Sequence, residues 1–125
     1  QLCEELKIAE NVHFLGFQSN PIKMINDSKA MILTSRWEGT PMCALEAMAL
    51  GTPVVSTPSD GMKDLIEDGV NGYLTDDDAV MAEKLLAIMN DAAHRNFLGE
   101  NTKKKFAEIN DAPKYKQAIY DCYMR

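Results

Sequence analysis

Short apolar runs of strand length alternate with helical patterns through the middle of the chain. The apolar runs are AMILTS at 30–35, PVVST at 53–57 and NGYL at 71–74. The segments between them, PMCALEAMAL at 41–50 and MKDLIED at 62–68, have helical patterns. Strands that are apolar on both faces and alternate with helices are typical of a parallel sheet covered on both sides. The sequence therefore predicts an α/β fold with a doubly wound parallel sheet.

The pattern extends toward both ends. NVHFLGF at 11–17 has the composition of a further strand, and PIKMINDSKA at 21–30 that of a helix opened by Pro21. Downstream, DDDAVMAEKLLAIMND predicts a helix with Asp78 as its N-cap. That helix carries its apolar stripe at Met81, Leu85, Ile88 and Met89. Two further helical segments follow, around 97–106 and 113–123.

The strand count predicts a fragment of a larger domain. Open sheets of this kind have about six strands, whereas this sequence predicts four and starts partway through a helix, LCEELKIAEN. We therefore expect a domain truncated on its N-terminal side. Residues 1–110 would be the partial ligand-binding domain, and the helix in 111–125 would need a surface to pack on.

Charge and composition exclude several classes of protein. The formal net charge of -6 argues against a nucleic-acid-binding surface. No secretory signal or apolar run of membrane-spanning length is present in the sequence. Three widely spaced cysteines predict free thiols in a reducing cytoplasm.

Two glutamates in an apolar stretch indicate a site. Glu46 interrupts an otherwise apolar helix, where a carboxylate is costly unless it is hydrogen-bonded or reaches a polar crevice. Glu38 lies in the loop before that helix, at the carboxyl edge of the sheet, where open α/β sheets bind ligands. A buried Glu46 that pairs with a lysine or with backbone amides, and an exposed loop acid at Glu38, would also account for them.

The same segment has features that suit an anion. Gly39 allows a close approach of the backbone to a ligand. The amides of Thr40, Met42 and Cys43 lie at the predicted helix N-terminus, which favours a phosphate. Carboxylates beside an anion-binding helix end suit a ligand that combines hydroxyl groups with phosphate, as a nucleotide-sugar does.

The stretch SRWEGTPMCALEAMALGTPVVSTPSDGMKDLIEDGVNGYLTDDD resembles the carboxyl-terminal donor domain of the group 1 (family 4) retaining glycosyltransferases, which have the GT-B fold. The likeness consists of an E-x7-E pattern from Glu38 to Glu46, followed by EAMALGTPVV, DG and GVNGYL. It extends upstream through VHFLGF and so covers nearly the whole chain.

The resemblance implies a role for each matching residue. Glu38 would hold hydroxyls of the transferred sugar as the catalytic residue, and Glu46 the ribose hydroxyls. The remaining donor-binding residues would be Gly39, Thr40, Met42, Cys43 and Leu45 through their backbone, with Gly16, Phe17 and Arg36 near the ligand. For Arg36 a surface or gating role is the favoured interpretation.

The resemblance also implies the partners. The donor is a nucleoside-diphosphate sugar, with no cofactor and no metal required. The acceptor, a glycan or a lipid-linked molecule, would bind through the missing N-terminal domain. A segment upstream of Gln1 would supply an arginine and a lysine to the diphosphate. Peripheral membrane association of the full-length enzyme stays open.

Several features depart from the relatives or permit other classes. Pro41 stands where many relatives have glycine, Asp60 replaces the first of a frequent glycine pair, and Asp64 stands where glutamate is common. A nucleotide-sugar epimerase, a sugar phosphorylase or a non-catalytic doubly wound module would share the fold. DDD at 76–78 formally matches a metal-binding D-x-D pattern, but helix capping explains it better.

Overall fold

A three-stranded parallel sheet forms the centre of the structure, a computed structural model that describes residues 1–124. The strands are β1 (Met31–Leu33), β2 (Val54–Ser56) and β3 (Gly72–Leu74), in the order β1-β2-β3. Both pairings are parallel, and the register places Ile32 beside Val55 and Val55 beside Tyr73. The predicted fold class is therefore confirmed.

Seven helices surround and extend this sheet in the described part of the chain. They are α1 (Leu2–Glu5), α2 (Pro21–Asp27), α3 (Met42–Leu50), α4 (Asp60–Leu65), α5 (Asp78–Asn90), α6 (Ala92–Ile109) and α7 (Ala112–Tyr123). A short 3-10 turn covers Ala9–Asn11. None of these helices is both long enough and apolar enough to cross a membrane.

The two faces of β2 define two layers of core. Val54 packs with a cluster that includes Ala44 and Met48 of α3 and Met62 of α4. Its neighbour Val55 points to the opposite face, because successive side chains of a strand alternate. There it packs with residues of α5 and α6, namely Met81, Ile88 and Leu98. Because both faces of β2 are covered, the sequence of this strand is a continuous apolar run.

Local sequence signals account for the helix ends. Asn20 caps α2 by accepting a hydrogen bond from the Lys23 amide, and Pro21 occupies the first turn. Gly51 ends α3 in the left-handed region, at φ 78°, and its amide reaches the carbonyls of Ala47 and Met48. A residue with a Cβ is strained at that φ, so glycine suits this position.

The predicted strand at 11–17 is wrong. Val12 has an extended backbone, at φ -115° and ψ 120°, but no strand is formed there within residues 1–124. Phe14 and Phe17 of this run are exposed rather than packed on a sheet. A strand exists only where a neighbour completes its hydrogen bonds, and composition cannot supply that neighbour.

Several predicted bounds also differ. The helix expected at 21–30 ends at Asp27, and the one expected at 62–68 runs from Asp60 to Leu65. The N-cap of α5 is Asp77 and not Asp78, because the Asp77 carboxylate accepts from the amides of Ala79 and Val80. Met89, assigned to the buried stripe of that helix, is largely exposed.

Candidate ligand-binding site

Two loops meet at the carboxyl edge of the sheet. The loop after β1 contains residues 34–41, and the loop after β2 leads into α4. The Thr57 side chain donates to the Ser35 carbonyl, at 2.5 Å between Oγ1 and O, and the Gly61 amide donates to the Glu38 carbonyl at 3.1 Å. The second loop therefore holds the first one in place.

Gly61 permits this contact by its lack of a side chain. A Cβ built on Gly61 would lie 1.3 Å from the carbonyl oxygen of Gly39, far inside any contact distance. The loop that carries Glu38 can approach α4 this closely only because position 61 is glycine.

The two loops enclose an open cavity of about 400 Å³, referred to below as the loop cavity. It is lined by Arg36, Trp37, Glu38, Gly39, Pro58, Ser59, Asp60 and Lys63. Three of the residues predicted from the sequence, Arg36, Glu38 and Gly39, are thus brought together. They lie where ligands bind in open α/β sheets, outside the carboxyl ends of the strands.

Both glutamates retain free carboxylates within the described chain. The side chains of Glu38 and Glu46 are each half-buried. Among residues 1–124, neither carboxylate has a cation within salt-bridge distance. An ion pair therefore does not account for either acid, and both remain available to a ligand.

Helix α3 is less enclosed than its sequence suggests. Ala44, Ala47 and Met48 are buried, but Met42 is exposed. Glu46 is set about 160° around the helix axis from Ala44, at 100° per residue, and so lies on the side away from the buried stripe. The carboxylate therefore does not incur the full desolvation that an entirely buried helix would impose. A sequence that is apolar all round, apart from Glu46, would predict a helix buried on every side, and the structure corrects that expectation.

The amides at the start of α3 differ in availability. The first hydrogen bonds of the helix run from the amides of Ala44 and Leu45 to the Pro41 carbonyl, at 3.0 and 3.3 Å. The Leu45 amide is therefore engaged within the helix and is not free for a ligand. Met42 and Cys43 precede these bonds, and their amides are the donors that a helix N-terminus leaves open.

The other predicted residues lie apart from the loop cavity. Thr40 and Leu45 line a second, more apolar cavity of about 430 Å³, together with Phe106 and Tyr115. Gly16, with φ 60°, and Phe17, 95% exposed, belong to the loop before α2 and do not line the loop cavity.

Five residues that line the loop cavity were not predicted as site residues. They are Trp37, Pro58, Ser59, Asp60 and Lys63. For Trp37 a signal was available, since it is the only tryptophan and immediately precedes Glu38. For the others the link is spatial, because only the pairing of β1 with β2 brings their loop beside residues 36–39.

The acidic run at 76–78 has a structural role at the start of α5, since Asp77 caps the helix. Within the described residues, no group of three histidine, cysteine, aspartate or glutamate side chains is placed to hold a metal ion. Cys3, Cys43 and Cys122 are free thiols, as predicted.

The fold and the site define a doubly wound α/β domain with a ligand cavity at the carboxyl edge of its sheet. The profile of the family described as "Glycosyl transferases group 1" matches residues 1–105 of this chain. The chain therefore belongs to the group 1 glycosyltransferases.

Two curated relatives are bacterial transferases or synthases of glycosides. N-acetyl-alpha-D-glucosaminyl L-malate synthase of Bacillus anthracis is 32% identical over 97% of this chain and 33% of its own length. Poly(ribitol-phosphate) alpha-N-acetylglucosaminyltransferase of Staphylococcus aureus is 31% identical over 86% of this chain and 22% of its own length. The chain thus spans about a third or less of these relatives.

Solved structures agree with the fold. HepE of Anabaena in complex with UDP-glucose superposes with a TM-score of 0.87 at 25% identity, covering 98% of this chain and 34% of that protein. TarM of S. aureus, in a complex with UDP, fondaparinux and alpha-GlcNAc-glycerol, superposes with a TM-score of 0.86 at 25% identity. The match covers 96% of this chain and 25% of that protein. These neighbours bind UDP or a UDP-sugar.

Proposed function

We propose that this chain is the donor-binding part of a family 4 retaining glycosyltransferase, which transfers a sugar from a nucleoside diphosphate to a glycan or lipid-linked acceptor. One observation carries the proposal. The carboxylate of Glu38 has no cation partner in residues 1–124 and lines the open loop cavity, a few residues before the free amides at the start of α3. The carboxylate would accept hydrogen bonds from sugar hydroxyl groups, and the amides would bind the diphosphate.

The proposed mechanism is electrostatic. The leaving diphosphate gains negative charge as its bond to the sugar breaks, and preorganised donors aimed at that charge stabilise the transition state. The donors in this chain would be the amides of Thr40, Met42 and Cys43. Glu38 would hold the hydroxyls of the sugar so that the acceptor attacks from the face that the diphosphate leaves, and Glu46 would hold the ribose.

Substitution of the two acids tests the assignment. In the full-length enzyme, we expect Glu38→Gln to lower the turnover of a UDP-sugar, and Glu46→Gln to weaken UDP binding, each by about 10- to 100-fold, since a hydrogen bond to a charged group contributes about 1.5–3 kcal/mol. Kinetics and calorimetry would measure these effects. Glu83→Gln, on the exposed side of α5, is the control. Unchanged turnover and binding in both site variants would contradict the assignment.

We propose further that the reaction requires no metal. Amides and basic side chains would neutralise the diphosphate in place of a cation. Turnover is expected to be unchanged by EDTA, and a rate that EDTA abolishes and Mg²⁺ restores would overturn this part. Product analysis in the same assay separates transfer from epimerisation and phosphorolysis.

The division of the chain is also a proposal. Residues 1–110 would bind the donor, and residues 111–125 would pack toward an acceptor-binding domain that precedes this chain in a longer protein. The length of the relatives supports this, since the chain spans 33% of the N-acetyl-alpha-D-glucosaminyl L-malate synthase. The whole enzyme would act in the cytoplasm, with peripheral membrane association where the acceptor is lipid-linked.

A further inference from the structure

The rim of the loop cavity carries a large aromatic side chain that the proposed donor contacts do not use. Trp37 is 86% exposed although it is among the largest apolar side chains. Tryptophan is on average highly buried in folded proteins. It is also a residue that binding surfaces use, because its ring offers a rigid apolar face with little conformational entropy to lose.

A second, independent feature lies in the wall of the same cavity. Ser59 is only 6% exposed, and its hydroxyl has no hydrogen-bond partner among the described residues. It occupies the N-cap position of α4, where serine is favoured, yet its side chain makes no cap hydrogen bond. Buried polar groups are nearly always paired, so an unpaired one next to a cavity points to a missing ligand group.

The charges around the cavity are balanced. Asp60 and Lys63 form an ion pair at 3.1 Å, and Arg36 and Glu38 line the opposite loop. Two acids and two cations present both acceptors and donors without a net field. Such a surface suits a neutral ligand with many hydroxyl groups better than it suits a phosphate.

The donor diphosphate has a different place. The residues whose amides are proposed to meet it, Thr40, Met42 and Cys43, do not line the loop cavity. Glu38 lines the cavity, and only Gly39 separates it from Thr40 in the chain. A ring held in the cavity would therefore lie beside Glu38, which is proposed to orient the transferred sugar.

We propose that the loop cavity binds a sugar ring of the acceptor. Trp37 stacks on the apolar face of the ring, while Ser59, Asp60 and Lys63 bond its hydroxyl groups. This inference rests on the proposed function, because it takes Glu38 as the residue that holds the transferred sugar. It assigns part of acceptor recognition to the donor-binding half of the enzyme.

The sole tryptophan makes the test specific. Trp37 fluorescence of this chain is recorded in the presence of saturating UDP, while glucose, galactose, mannose and N-acetylglucosamine are each added to about 100 mM. A sugar with a Kd in the millimolar range would saturate its site at that concentration. We expect at least one sugar to shift the emission saturably toward shorter wavelength. In calorimetry, Ser59→Ala should weaken the binding of that sugar by about 3- to 10-fold, as expected for the loss of one neutral hydrogen bond. Trp37→Ala should abolish the binding.

The affinity for UDP separates the two proposals. Trp37→Ala and Ser59→Ala are expected to bind UDP like the unchanged chain, and this also shows that both variants fold. The control is Tyr123→Ala, which removes an aromatic side chain that is likewise 86% exposed, on α7. We expect this substitution to leave the affinities for UDP and for the sugar unchanged.

Three outcomes have different consequences. If UDP binds neither to this chain nor to the full-length enzyme, the proposed function fails. If UDP binds but none of the four sugars perturbs Trp37, the acceptor cavity alone is overturned. If Trp37→Ala weakens the binding of UDP-glucose as strongly as that of the free sugar, the cavity binds the donor and the inference is likewise overturned.

Discussion

Single residues at the loop contact decide whether the site can form. The sequence marks Glu38 and Glu46 by their charge in an apolar segment, but it does not show why Gly61 is required. The structure supplies the reason, since the Gly39 carbonyl occupies the space where a Cβ of residue 61 would be. Chain neighbours cannot reveal a contact between residues 39 and 61.

Gly61→Ala should therefore be disruptive. The added methyl group must push the Glu38–Gly39 backbone away from α4 and break the hydrogen bond from the Gly61 amide to the Glu38 carbonyl. We expect a loss of about 2–4 kcal/mol in the free energy of unfolding of this chain, and a loss of the proposed UDP-sugar turnover in the full-length enzyme. Urea denaturation followed by circular dichroism measures the first effect.

Gly39→Ala is the matched control for stability, because a Cβ there would have no atom within 4 Å. Its unfolding free energy should stay within about 0.5 kcal/mol of the unchanged chain, as for surface substitutions. Equal stability of the two variants would show that the loops do not approach as closely as described.

At the scale of elements, the ends of the helices show how much the local sequence determines. The pattern correctly predicts α5, and its acidic start, but it places the cap one residue too late. Three consecutive aspartates are equivalent by composition. Only the path of the backbone out of β3 decides that the Asp77 carboxylate, rather than that of Asp78, faces the amides of Ala79 and Val80.

The cap assignment predicts unequal effects of two similar substitutions. Asp77→Ala should lower the free energy of unfolding by about 1 kcal/mol, because two amides lose their acceptor. Asp78→Ala should lower it by only a few tenths of a kcal/mol, through the lost interaction with the helix dipole. Thermal unfolding of both variants measures the difference, and the reverse order would favour Asp78 as the cap.

The parallel sheet organises the whole molecule, and α7 contributes little to it. The core lies on the two faces of β2, where Val54 and Val55 contact separate clusters. No residue of α7 is buried, and its aromatic side chains Tyr115, Tyr120 and Tyr123 are exposed. The sheet and the first six helices therefore enclose the core without it.

Removal of residues 111–125 should leave a folded domain. We expect the free energy of unfolding to change by less than about 1 kcal/mol, since the deleted helix buries no side chain. Chemical denaturation of residues 1–110 tests this. Phe106→Ala is the comparison, because Phe106 packs against the core and its loss should cost about 2 kcal/mol or more. A truncation more damaging than that substitution would contradict the proposed boundary.

The sequence by itself determines the class of fold, and it singles out Glu38, which the structure places in the loop cavity. Alternating apolar runs and helical patterns predict parallel strands with helices on both faces, because each element must cover its apolar surface. The charge of Glu46 in an apolar helix predicts a polar crevice nearby, whereas the structure places Glu46 on the side of α3 away from its buried residues and outside the lining of the loop cavity. The cost of desolvating a carboxylate depends on what packs against it, and local sequence does not show that.

Tertiary structure decides what depends on distant neighbours. The apolar run at 11–17 forms no strand, because a strand needs a hydrogen-bonding partner that no local pattern supplies. The Leu45 amide is engaged by the Pro41 carbonyl. Ser59 and Lys63 join Glu38 in one cavity only because β1 pairs with β2. Pairing between strands is non-local, so the composition of the cavity could not be read from either loop alone.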